Sequence, residues 1–166
     1  MNSRLRKLII LSFLIALSVI GANIKILGSI AFDSFPAFIG TALLGPLFGM
    51  CLAFAGHMVS AYLAGFPLSL PIHLLIGIMM VITMWAYGTI RKREIKPSIS
   101  KIALSNLIAF IGNVPLSLAV LIPIFGLQGV IPLFLPLTIA TCANLFITEF
   151  VFAALPVNYK TKLASL

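Results

Sequence analysis

Two histidines, three acids and a few amides supply most of the polar chemistry in this chain. His57 lies in the middle of an apolar run, and His73 follows Pro71 at the start of another. Asp33 sits in the frame Ala31-Phe32-Asp33-Ser34-Phe35-Pro36. Asn106, Asn113 and Ser117 are spaced i, i+7 and i+11, which puts them on one helical face, and Thr141, Asn144 and Thr148 form a similar stripe. Polar groups in apolar spans are costly and face the interior of a bundle, so each is a candidate ligand contact. The competing reading is a helix–helix hydrogen bond that serves packing alone. Lys25, Asp33, Phe35, His57, His73, Asn113 and Asn144 are the candidate substrate-binding residues, with Phe35 offering an aromatic wall.

Reaction chemistry is harder to assemble from these residues. The chain has no Ser-His-Asp order, no HExxH, no paired carboxylates and no phosphate loop, so no nucleophile–base pair can be assigned and no catalytic residue is expected. Two histidines on different segments make no metal motif, and neither metal nor cofactor is expected. Cys51 and Cys142, without a CxxC, read as small buried apolar residues. Asp33 could accept hydrogen bonds from a ligand or pair with Lys25, although solvated loop charges would need no such explanation. Glu149 is the one acid deep in an apolar span and is placed to pair with a Lys or Arg.

The elements that must position these groups follow from composition and charge. With 61% apolar and 8% charged residues, the chain cannot cover a water-soluble surface. The net charge of +8 does not mark a nucleic-acid binder, because the cations flank apolar spans instead of covering one face. Ten of the eleven Lys and Arg residues fall in three clusters: Arg4, Arg6 and Lys7; Arg91, Lys92, Arg93, Lys96 and Lys101; Lys160 and Lys162. Cations gather on the cytoplasmic side of membrane proteins, so an even number of crossings should separate each pair of clusters. Lys25 is then alone on the outer side.

Clear apolar spans run over residues 8–24, 70–90, 102–125 and 131–155, the last two separated by Gly126-Leu127-Gln128-Gly129. Parity allows residues 33–64 to cross twice or not at all; their length and apolar character favour two crossings, and Gly45-Pro46 offers the break between the two helices. The first of these, residues 36–45, is short for a span, so it is expected to tilt or to be completed by buried extended chain. The basic start and apolar run at the N-terminus read as a retained first helix instead of a cleaved leader. The expected architecture is an all-α bundle of six transmembrane helices in one integral-membrane domain over residues 1–166, with both termini cytoplasmic. Ser12 and Ala16 are spaced small-xxx-small on the first helix, as are Ser18 and Ala22, which allows another helix to approach closely.

These features resemble the substrate-binding S components of energy-coupling factor transporters. The resemblance covers nearly the whole chain and rests on the six-helix plan, the small-residue first helix and Ala31-Phe32-Asp33-Ser34-Phe35-Pro36-Ala37-Phe38. It continues through Leu44-Gly45-Pro46-Leu47-Phe48-Gly49, Gly56-His57, and Gly65-Phe66-Pro67-Leu68-Ser69-Leu70-Pro71-Ile72-His73. The segments look most like the branch assigned to α-ribazole or its dimethylbenzimidazole base. The resemblance implies a high-affinity vitamin-precursor binder in the bacterial plasma membrane without ATPase activity. Its implied partners are a transmembrane scaffold subunit and two cytoplasmic ATPase subunits. The scaffold-docking motif would fall on Ser12 and Ala16, with Ser where Ala is common, and the pocket lid on residues 25–35. A different vitamin, a stand-alone secondary transporter and a membrane-embedded enzyme are the competing readings.

Overall fold

The computed structural model describes residues 3–23, 25–26, 30–31 and 33–165. Helix α1 (Ser3–Ala22) leads into a two-stranded antiparallel ribbon, β1 (Lys25–Ile26) and β2 (Ile30–Ala31), with Lys25 opposite Ala31. Then follow α2 (Phe35–Leu44), α3 (Pro46–Leu63), α4 (Leu70–Arg91), α5 (Ile99–Ile111), a π-helical turn (Gly112–Leu116), α6 (Ser117–Ala154) and α7 (Val157–Ala164). Pro36, Pro46 and Pro71 each stand in the first turn of α2, α3 and α4, where a missing N–H breaks no helical bond.

The long run into α6 is two legs. Gly126 lies at φ 71°, ψ 165°, outside the helical region, and the chain folds back there. A straight helix would hold Asn113 and Thr141 about 42 Å apart. Instead, Asn113 Nδ2 donates to Thr141 Oγ1 at 2.9 Å. Helices α1 to α4 and the two legs, residues 99–125 and 127–154, therefore make six apolar helical segments. By length and composition, Arg4–Ala22, Pro46–Leu63, Leu70–Arg91 and the folded run Ile99–Ala154 can cross a membrane. The break between α2 and α3 falls at Gly45, whose φ of 98° suits glycine, and a Cβ there would press on the Arg93 side chain at 3.0 Å.

Helix α2 is about 15 Å long, too short to span. Every residue from Pro36 to Leu44 is buried, so it forms the centre of the bundle, enclosed by α1, α3, α4 and α6. A segment that meets other helices instead of lipid has no hydrophobic thickness to match along its buried length. Phe38 and Tyr87 meet edge to face beside it, with ring centroids 5.3 Å apart. The two cysteines depart from expectation. Cys51 and Cys142 are exposed on the apolar outer surface, where a small weakly polar thiol is tolerated as well as in the core.

The three basic clusters converge on one end of the bundle. Lys7 lies over the Phe48 ring at 5.6 Å, Arg93 packs on Gly45 and donates to the Ala164 carbonyl, and Arg91 and Lys160 both lie over Phe152. Glu149 finds the predicted cation there. Arg91 Nη2 donates to its Oε2 at 2.7 Å, and the Arg91 side chain is 0% exposed. Helix α7, an amphipathic turn not foreseen from the sequence, closes this end. His73 begins the same α4 that Arg91 ends, so the histidines and the basic end lie at opposite poles of the bundle.

Candidate functional site

At the pole away from the basic clusters a cavity opens between α3, α4, the π turn and both legs of α6. Its volume is about 840 Å³ with its open mouth included. Each wall is a stripe legible in the sequence. Helix α4 contributes His73, Ile76 and Met80 at i, i+3 and i+7. The second leg of α6 contributes Leu133, Leu137, Ala140, Thr141 and Asn144 at i, i+4, i+7, i+8 and i+11. Asn113, Ser117, Leu118 and Leu121 form the facing wall, and Asp33, Ser34, His57 and Leu68 complete the rim.

Asp33, His57 and His73, forty positions apart in sequence, converge. His57 Nδ1 lies 3.8 Å from Asp33 Oδ2, and His57 Nε2 lies 3.2 Å from His73 Nδ1. Ser34 Oγ donates to the other Asp33 oxygen at 3.2 Å. Phe66, held at φ 49° in the loop between α3 and α4, brings its ring within 5.8 Å of His73.

Asn113 is presented by the π turn. Pro115 has no N–H to give, so regular helical bonding fails locally and the turn widens. Ser117 Oγ donates to the Gly112 carbonyl at 2.8 Å and satisfies an acceptor that the widening frees. Gly112 also lets this turn close on Thr83 of α4, whose side chain occupies the space of a Cβ.

Asn144 lines the cavity, but both ends of its amide are already engaged. Its Nδ2 donates to the Ala140 carbonyl at 2.8 Å, and its Oδ1 accepts from the Phe35 N–H at 2.7 Å. The start of α2 explains this. Ser34 makes no side-chain cap, Pro36 has no N–H, and Ala37 and Phe38 both donate to the Ser34 carbonyl. The Phe35 N–H is the remaining orphan donor, and Asn144 caps it from another helix. Asn144 thereby fastens the turn that carries Asp33.

The other expected site residues divide as follows. Phe35 does not line the cavity and packs against the core. The backbone of Lys25 is in β1, while its side chain, and with it any pairing to Asp33, lies outside the described residues. Asn106 stays out of the cavity. Ser12 and Ala16 face outward on α1, whereas Ser18 and Ala22 are buried. The side chain of Ser18 stands 2.9 Å from where a Cβ on Gly56 would lie, so the two small-residue pairs have separate surroundings. Sequence reasoning passed over Ser34, Met80 and the leucine walls as contacts. The α6 stripe was the signal that could have found the last of these.

No group of three or more His, Cys, Asp or Glu among the described residues could hold a metal. The site combines apolar walls with a polar rim and a polar flank, the usual composition of a small-molecule pocket.

A family model described as "ECF transporter, substrate-specific component" matches residues 6–159. No curated protein and no solved structure matches the chain. Proteins of this family are multi-pass plasma-membrane transport subunits, not enzymes, that bind a small substrate and associate with an ECF module of T and A subunits. The matched region takes in nearly all of the six apolar segments and every residue of the cavity, and the chain belongs to the family of ECF transporter substrate-specific components.

Proposed function

We propose that this S component captures α-ribazole from outside the cell for ATP-driven uptake. The observation that carries the reading is the division of the cavity into leucine-rich walls and polar groups from Asp33, His57, His73 and Asn113. A flat dimethylbenzimidazole is matched by the apolar walls, and a ribose by the acceptors and donors around them. The described lining residues include no Lys or Arg, which disfavours a phosphorylated ligand. The residues proposed to contact substrate are Asp33, His57, His73 and Asn113. Asn144 positions Asp33, and Lys25 belongs to the outer loop that the family resemblance makes the pocket lid.

Convergence of the basic clusters at one end supports an orientation with that end, and both termini, in the cytoplasm. The outward Ser12–Ala16 stripe then docks the transmembrane scaffold, and two ATPase subunits drive release inside.

Mass spectrometry of the compound that co-purifies with detergent-solubilised protein, followed by direct binding of α-ribazole, tests the substrate. The expected outcome is α-ribazole bound by this chain alone, with uptake into liposomes only when the ECF module and ATP are added. A different vitamin at stoichiometric occupancy, with no α-ribazole binding, would overturn the assignment.

A further inference from the structure

The Asp33–His57–His73 chain specifies a hydrogen-bonding polarity. We propose that it fixes both imidazole tautomers so that His73 Nε2 is a bare acceptor, and that the ligand must set a hydroxyl or N–H donor against it. This rests on the cavity being the substrate site.

One acceptor-only group sets the direction of the chain. An ionised carboxylate can only accept, and Asp33 already takes the Ser34 hydroxyl on one oxygen. Its second oxygen lies 3.8 Å from His57 Nδ1, too far for a hydrogen bond, but a carboxylate charge at that distance favours the proton on the facing nitrogen over a bare lone pair. A neutral imidazole has one donor and one acceptor nitrogen, which leaves His57 Nε2 as a lone pair. The nitrogen 3.2 Å away, His73 Nδ1, must then be the N–H. The rings meet at 41° with centroids 5.3 Å apart, so they are tilted and not stacked face to face. By elimination the His73 proton is not on Nε2.

His73 Nε2 is buried and has no hydrogen-bond partner among the described residues, although His73 is 4% exposed and lines the cavity. Buried polar atoms nearly always have a partner, so an orphan on a cavity wall is one for a ligand to satisfy. On the opposite flank the Asn113 amide spends its Nδ2 on Thr141, which leaves its carbonyl oxygen as the group to offer. Both flanks therefore present acceptors. A ligand rich in hydroxyl donors is selected, and one presenting a carboxylate or phosphate at the His73 end is rejected by lone-pair repulsion and by Asp33 behind it.

Nitrogen-15 NMR of the full-length protein in lipid nanodiscs tests this directly, because two histidines give two ring systems. His57→Ala assigns them. The expected spectrum of the unliganded wild type shows both rings protonated at Nδ1 alone. Protonation of His73 at Nε2 would overturn the relay. The ligand arm uses α-ribazole and its deoxyribose analogues, each lacking one hydroxyl, on wild type and His73→Phe. His73→Phe should weaken α-ribazole binding about ten- to a hundredfold. One analogue should lose as much on wild type, yet less than about twofold further on the variant. Fully additive losses with every analogue would overturn the inference. Should wild type show the stated tautomers but ignore α-ribazole, the substrate assignment fails and the relay stands.

Discussion

Replacing Asn144 separates a structural amide from a ligand-binding one. Asn144 is 1% exposed, and its Oδ1 receives the Phe35 N–H at 2.7 Å, across 109 positions of chain. Asn144→Ala and Asn144→Leu both strand that donor, because Ser34 makes no side-chain cap and no other side chain among the described residues takes it. The bond from Nδ2 to Ala140 contributes little to the loss, since the Ala140 carbonyl also accepts within its helix. A stranded, partly buried N–H costs about 1–3 kcal/mol. Loss of an ordinary N-cap costs about 0.5–2 kcal/mol, which brackets the lower part of that range. The void left by Ala adjoins an open cavity, so Ala and Leu should differ by less than about 1 kcal/mol. For a chain of this size the cost corresponds to a fall in Tm of about 2–12 °C. The assay is thermal unfolding of ligand-free protein in detergent, read as the fraction that remains monodisperse after heating. An unchanged midpoint in both variants, with α-ribazole affinity abolished, would refute the reasoning and return Asn144 to direct ligand contact.

At the opposite pole, Arg91 is wholly buried with Nε and Nη1 unpartnered among the described residues, so its bond to Glu149 is its main compensation. Glu149→Leu should destabilise the protein by about 3–5 kcal/mol, while Arg91→Met combined with Glu149→Leu recovers most of that loss. Additive losses in the thermal midpoints of the cycle would refute the coupling. On α1, Ser12→Leu should leave ligand binding intact and impair assembly with the ECF module, since Ser12 faces outward. Ser18→Leu should instead reduce folded yield through its contact with Gly56. Pull-down with the module and ligand titration distinguish the two, and normal assembly of Ser12→Leu would remove the docking face.

Much was legible in the sequence because a bilayer imposes rules that act locally. The lengths of the apolar runs, the grouping of cations and the prolines after Ser69 and Gly45 define segments without knowledge of their neighbours. That is why six helices, the break at Gly45 and the fold at Gly126 could be placed. The same logic marked Asp33, His57, His73 and Asn113 as costly polar groups that a bundle must use. It could not say with what. Asp33 meets His57 and His73 only because α2, α3 and α4 enclose one pole, and that depends on side-chain packing between segments far apart in the chain. Asn113 and Asn144 had the same signature, yet one has an amide oxygen to spare and the other has both ends engaged. The difference lies in Pro36 and Ser34, which leave the Phe35 N–H without a local acceptor. The sequence by itself determined which groups need partners, since desolvation is a property of the residue and its span. Only the tertiary structure decided the partners, because hydrogen bonding depends on distances of about 3 Å that no spacing along separate helices prescribes.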